Sequence, residues 1–165
     1  MKPLSKALLL SAALFLGACS QNPFDSFGGP GGASGSATGP LDPSSPAYFS
    51  ETIGDRVFFA VDQSTLTPSG QATLAAQARW LQENGTYTAI IEGHADEQGT
   101  REYNLALGAR RASAARDYLV AKGVADSRLR TVTFGKERPI EICSSEACYV
   151  QNRRAVTVIS AGLGS

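Results

Sequence analysis

Apolar positions fall into two rhythms along this chain. Arg56 to Asp62 reads Arg-Val-Phe-Phe-Ala-Val-Asp, a near-continuous apolar run of the kind found in buried strands. The spacing then changes: Leu74, Ala78 and Leu81 recur at helical intervals, with Thr67 placed to cap, Pro68 as the first helical residue and Asn84-Gly85 as the stop. Thr88 to Glu92 is a short β-branched strand. A polar loop carrying Gly93, His94, Asp96 and Gly99 follows, then a long Ala-rich helical segment through Leu119 that stops at Lys122-Gly123. Arg130 to Lys136 predicts a third strand, Pro139 to Val150 a loop, and Asn152 to Ile159 a fourth strand. Trp80 is most simply a core residue. Strands alternating with helices predict an α/β (α+β) domain, with helices packed on one face of a small mixed four-stranded sheet. It is expected to occupy residues 48–165.

The strand-loop-helix in the middle is where chemistry concentrates. A loop at the carboxyl end of a strand and beside a helix N-terminus meets oriented amides that favour an anion. Asn104, Leu107, Gly108 and Arg111 stand at i, i+3, i+4 and i+7 and share one helix face, whereas Arg110 lies on another stripe with Tyr103 and Asp117. With Asn104 under the loop, Arg111 points back at it, and Asp96 and Arg111 present a carboxylate and a guanidinium to one small volume. That pair suits a ligand carrying both an ammonium and a carboxylate, because Arg grips carboxylates bidentately. The plainer alternative is an Asp96–Arg111 salt bridge that only fixes the loop.

The N-terminal region changes the picture from a domain to a tethered domain. Residues 1–18 combine Lys2 and Lys6, an apolar run from Ala7 to Leu16 and small residues after it, the layout of a secretory signal. The run is too short to span a bilayer. Leu16-Gly17-Ala18-Cys19 resembles the bacterial lipobox, which predicts lipidation of Cys19; an ordinary signal peptide cut near Ala18 is the alternative. Several acyl chains on one residue anchor firmly where a single chain does not. Ser20 rather than Asp after the cysteine favours the outer membrane. Residues 19–47 are rich in Gly, Pro and Ser, cannot bury a core, and are expected to stay disordered. A flexible chain of that length averages on the order of 30 Å end to end and reaches roughly 90 Å when taut.

Charge and cysteines add less. Fifteen Lys+Arg balance fifteen Asp+Glu, and removing residues 1–18 takes two lysines, leaving a net charge of −2. That balance points away from nucleic acid and highly charged partners. Three cysteines with Cys19 lipidated leave Cys143 and Cys148 as a pair, so a local disulfide is expected in an exported chain. Two Cys and one distant His make a poor zinc site, so neither a metal nor a cofactor is expected. An enzyme is not expected either: His94 has no metal-ligand partners at suitable spacing, the cysteines have no neighbouring His, and no Ser sits in a nucleophile elbow.

Gly93-His-Ala-Asp96, Gly99, Asn104, Leu107 and Arg111 resemble the signature of the OmpA-like peptidoglycan-binding domain. The fuller run from Glu92 to Asn104, with Gly108-Ala-Arg-Arg-Ala and Asn152-Arg-Arg-Ala-Val, resembles the peptidoglycan-associated lipoproteins of that family, over roughly Phe58 to Ile159. The resemblance implies that Asp96 and Arg111 hold the amine and carboxylate of diaminopimelate in the peptidoglycan stem. It also implies that Asn104 braces the loop and that Leu107 with Gly108 lets the ligand come close. Asp62 matches a pocket-rim residue of the family, or is simply a turn carboxylate. Val61 stands where the family commonly has Phe, which removes an aromatic wall. Arg153 and Arg154 pair with acids near the pocket or lie on a partner surface. The implied partners are peptidoglycan, TolB with the Tol complex, and the outer membrane through Cys19. The implied role is envelope integrity and outer-membrane invagination at division. An OmpA-like wall-binding lipoprotein outside the Tol system is the alternative, and a purely structural protein with an internal salt bridge is a third.

Overall fold

The computed structural model describes residues 41–161. The leader, Cys19 and most of the Gly/Pro/Ser segment lie outside the described residues. The order is α1 (Pro46–Tyr48, running on into a π-helical turn, Phe49–Gly54), β1 (Arg56–Phe58), α2 (Pro68–Glu83), β2 (Tyr87–His94), α3 (Arg101–Ala121), β3 (Leu129–Gly135), α4 (Glu146–Asn152) and β4 (Arg154–Ala161). The four strands form one mixed sheet in the order β1-β4-β2-β3. β2 and β3 are parallel, joined across α3, and the other pairs are antiparallel.

Local chemistry starts and stops the two long helices. Thr67 accepts from Gly70 N to open α2, with Pro68 as its first residue, and Thr100 accepts from Tyr103 N to open α3. Gly123, in the left-handed region at φ +97°, ends α3. Leu74, Ala78, Leu81, Ala112, Ala115 and Leu119 from the helices close on Val57, Ala89, Ile91, Leu129 and Ala155 from the sheet. The opposite sheet face leaves Ile90, Val132 and Val158 partly exposed. Trp80 is buried between Phe49 and Tyr87 and donates from Nε1 to the Pro43 carbonyl at 2.7 Å, so the folded unit begins before Tyr48. Buried Gln77 is satisfied on both sides, donating to Gly54 O and accepting from Thr157 Oγ1.

Two expectations need correction. The first strand is only three residues long: Phe59 N still donates to Arg153 O, but the chain then turns, with Gln63 N bonded to Ala60 O and Asp62 at φ 57°. The segment around the cysteines contains a helix, α4, that the cysteines masked as loop. Its residues take Asn152 out of β4, which starts at Arg154.

α3 touches the sheet unusually closely. Gly93 on β2 and Gly108 on α3 face each other: a Cβ at Gly93 would sit 1.8 Å from Gly108 O, and one at Gly108 would sit 2.8 Å from Gly93 O. Gly108 therefore admits the sheet backbone, where the sequence had suggested that it admits a ligand. This contact sets the depth of α3 and thereby the loop between β2 and α3.

Candidate functional site

A cavity of about 220 Å³ opens where the chain leaves β1 and β2. It is lined by Val61, Asp62, Asp96, Gln98, Gly99, Tyr103, Asn104 and Leu107. The structure thus brings four expected residues, Asp62, Asp96, Asn104 and Leu107, to one wall. Gln98, Gly99 and Tyr103 join them from the loop and the exposed start of α3.

Each lining group has a local cause. Asp96 Oδ1 accepts from Gln98 N at 3.2 Å, an Asx turn that starts the loop. Gly99 takes φ +88°, and Lys136 Nζ donates to Glu97 O and Gly99 O from the far side. Asn104, fully buried, donates from Nδ2 to Gln98 O at 2.7 Å and so braces the loop. Its Oδ1 has no hydrogen-bond partner in the protein. Asp62 is, among the described residues, the one non-glycine in the left-handed region, a conformation Asp tolerates better than most side chains. Val61 is 52% exposed and forms a low apolar wall.

Arg111 is on the expected helix face but not in the cavity. Its side chain is 0% exposed, lies over the Phe59 ring and donates to three backbone carbonyls: Nε to Gln63, Nη1 to His94 and Nη2 to Ala60. Burial pulls its pKa down to about 10, partly offset by Asp96, so it stays charged at neutral pH. It pins the loop after β1 to the end of β2 from behind, and sets a positive charge under the two acids. The partner of Asp96 is Arg153, with Nη1 to Oδ2 at 3.1 Å. Neither an Asp96–Arg111 bridge nor an Arg111 guanidinium facing the cavity is seen.

Arg153 and Arg154, at the start of β4, are both buried. Arg153 also bonds Glu146 on α4, while Arg154 donates to the carbonyls of Asn152 and Arg138. Tyr149 on α4 donates to Glu97 at 2.8 Å. Cys143 and Cys148 are joined, with Cα atoms 5.8 Å apart. Sequence reasoning did not pick out Glu146 or Tyr149, and nothing local marks them.

His94 sits at the end of β2 with 2% exposure and neither ring nitrogen hydrogen-bonded; the Glu92 carboxylate, 3.5 Å from Nε2, is too far for a good bond. Burial first, then Arg154 and Arg138, lower its pKa from 6.5 to about 4. The unfolded chain therefore takes up this proton before the folded one does. Stability is full above about pH 6.5, declines as pH falls through that value, and levels off near 4, a loss on the order of 2–3 kcal/mol. Urea unfolding at pH 7 and pH 4.5 checks this: His94→Phe is expected to flatten the dependence, and an unchanged slope would assign it to the carboxylates.

Residues 58–153 match the OmpA family. The chain is 58% identical over 127 residues to the peptidoglycan-associated lipoprotein of Mesorhizobium japonicum, covering 77% of this chain and 75% of that one. The chain belongs to the OmpA family, among the peptidoglycan-associated lipoproteins. The Rhizobium meliloti peptidoglycan-associated lipoprotein is 48% identical over 163 residues, covering 99% of this chain and 90% of its own. The crystal structure of the peptidoglycan-associated lipoprotein from Burkholderia pseudomallei superposes with a TM-score of 0.67 at 36% identity, covering 72% of this chain and all of that one. The C-terminal domain of Helicobacter pylori MotB, at 19% identity and a TM-score of 0.61, shares the OmpA-like fold. The first three of these relatives carry the name of lipoproteins, not of enzymes. Among the described residues no helix is long and apolar enough to cross a membrane, and no group of His, Cys, Asp and Glu is arranged to hold a metal.

Proposed function

We propose that this OmpA-family lipoprotein is held in the outer membrane by lipid on Cys19 and grips peptidoglycan non-covalently, through diaminopimelate in the stem peptides. The observation that carries this reading is the convergence of two carboxylates, Asp62 and Asp96, on one small cavity with no Lys or Arg in its lining. Such a site selects an ammonium. Val61 and Leu107 offer apolar surface to the methylenes behind it. The ligand's carboxylate lies toward the loop amides at the start of α3, in the field of Arg111 and the helix dipole. Arg111 acts from beneath, by charge and by holding the walls. Membership among the peptidoglycan-associated lipoproteins supports the wall as ligand. It also supports TolB and the Tol complex as partners, with a role in envelope integrity and outer-membrane invagination during division.

Retention of the full chain on purified sacculi tests the wall contact. Asp96→Asn is expected to lower affinity about tenfold or more, and Asp62→Asn, which keeps a residue tolerant of the left-handed turn, by less. Circular dichroism on each variant separates binding from folding. Undiminished retention of both folded variants would move the site elsewhere. No retention of the wild type would end the wall-binding reading. Co-purification of TolB, with and without the lipid anchor, tests the Tol assignment separately.

A further inference from the structure

Asp96 has a competitor for its charge. A carboxylate locked into a two-pronged bond with arginine has little left for an incoming ammonium, and buried Arg153 lies within reach to form such a bond. Its fork instead turns outward. Nη2 bonds Glu146 Oε1, Nη1 lies 3.3 Å from Glu146 Oε2, and a single contact from Nη1 reaches Asp96 Oδ2 at 3.1 Å. One guanidinium thus meets two carboxylates, and the carboxylate that takes both prongs is the one outside the cavity. Asp96, which lines the cavity, keeps its Oδ1 clear of the arginine, with only the Gln98 amide donating to it.

Glu146 is held where this requires. α4 is seven residues long, too short to be stable alone, and the Ser145 side chain makes no capping bond. The Cys143–Cys148 bond closes a loop around the first turn of α4, with Glu146 inside it. One turn further on, Tyr149 ties the same helix to Glu97, next to Asp96. Glu146 itself is largely in solvent, its side chain 66% exposed, so it adds little to the core.

We propose that Glu146, set in place by the Cys143–Cys148 staple, is a positioning residue that draws the Arg153 fork away from Asp96 and keeps that carboxylate open to a ligand's ammonium. This deepens the wall-binding reading and rests on it. Without Glu146 the fork closes on Asp96 in bidentate fashion and the cavity loses its better acceptor.

Titration calorimetry of the full chain with a soluble muropeptide ending in diaminopimelate tests this. Glu146→Gln is expected to raise Kd about 5- to 20-fold while leaving Tm within a degree or two. Glu146→Asp, which keeps the charge, recovers most of the affinity. The double change Cys143→Ser/Cys148→Ser also raises Kd, and adding Glu146→Gln to it costs little more, because both act through one contact. Glu83→Gln removes the same charge from α2, which lines no part of the cavity, and leaves Kd unchanged. Wild-type binding matched by Glu146→Gln would overturn this role alone, as would an equal loss in Glu83→Gln or a loss that tracks Tm. Failure of the wild type to bind the muropeptide would overturn the wall-binding reading itself, and this role with it.

Discussion

Gly93→Ala is expected to prevent the domain from folding. The new Cβ would lie 1.8 Å from the carbonyl oxygen of Gly108 and 2.6 Å from its carbonyl carbon, both backbone atoms that cannot swing aside. Relief requires α3 to lift off the sheet by more than an ångström, opening the packing of Ala112, Ala115 and Leu119 over Ile91. The cost is on the order of 4 kcal/mol or more, most of the stability of an ordinary domain. Gly108→Ala is milder, since its backbone clash, with Gly93 O at 2.8 Å, is shallower, although the Thr133 hydroxyl at 2.5 Å must also leave its bond to Leu105 O. Urea or thermal unfolding followed by circular dichroism measures both. A Gly93→Ala protein melting within a few degrees of wild type would mean that the helix shifts at little cost.

Arg111→Met carries the second largest effect, and on stability before binding. Methionine fills much of the same volume over Phe59 but leaves the carbonyls of Gln63 and His94 without the Arg111 donor and Ala60 O with only its turn bond from Gln63 N, two of the three lying on the loop that carries Asp62. At about 1–3 kcal/mol for the buried His94 carbonyl and less for the two on the exposed loop, partly offset by removing a desolvated charge, the loss comes to roughly 2–4 kcal/mol. For a domain of this size that is roughly 8–16 °C in Tm. Arg111→Lys falls between, because one ammonium cannot span three diverging carbonyls. A variant that melts like wild type but no longer binds muropeptide would show Arg111 to be a direct ligand.

Arg111 also shows how far local reading reaches. The i, i+3, i+4, i+7 pattern placed Asn104, Leu107, Gly108 and Arg111 on one buried face of α3, and all four are buried there. Spacing along a helix fixes an azimuth, however, and not a depth. One turn separates Leu107, at the cavity, from Arg111, beneath its floor, and the Gly93–Gly108 contact that sets this depth involves a second element. Arg153 is 57 residues from Asp96, so no window along the chain could pair them. Phe59-Ala60-Val61 continues the apolar run past the end of β1; Phe59 packs under Arg111, whereas Val61 faces the cavity just before the left-handed residue Asp62. α4 was legible in principle, since Ser145 and Glu146 are residues that favour a helix start. Two cysteines with four residues between them argued more loudly for a loop.

The strand order has a consequence for how this protein comes into being. β4, the last strand described, lies between β1 and β2, so residues 154–161 occupy the middle of the sheet although they follow the other three strands in the chain. Without them β1 has no neighbour, and β2, paired with β3, keeps an open side. The closure that joins the two halves of the sheet is non-local, pairing Arg56 with Val156 across a hundred residues, and closures of that range are the slow kind. β4 is thus the strand on which the folding of this domain waits.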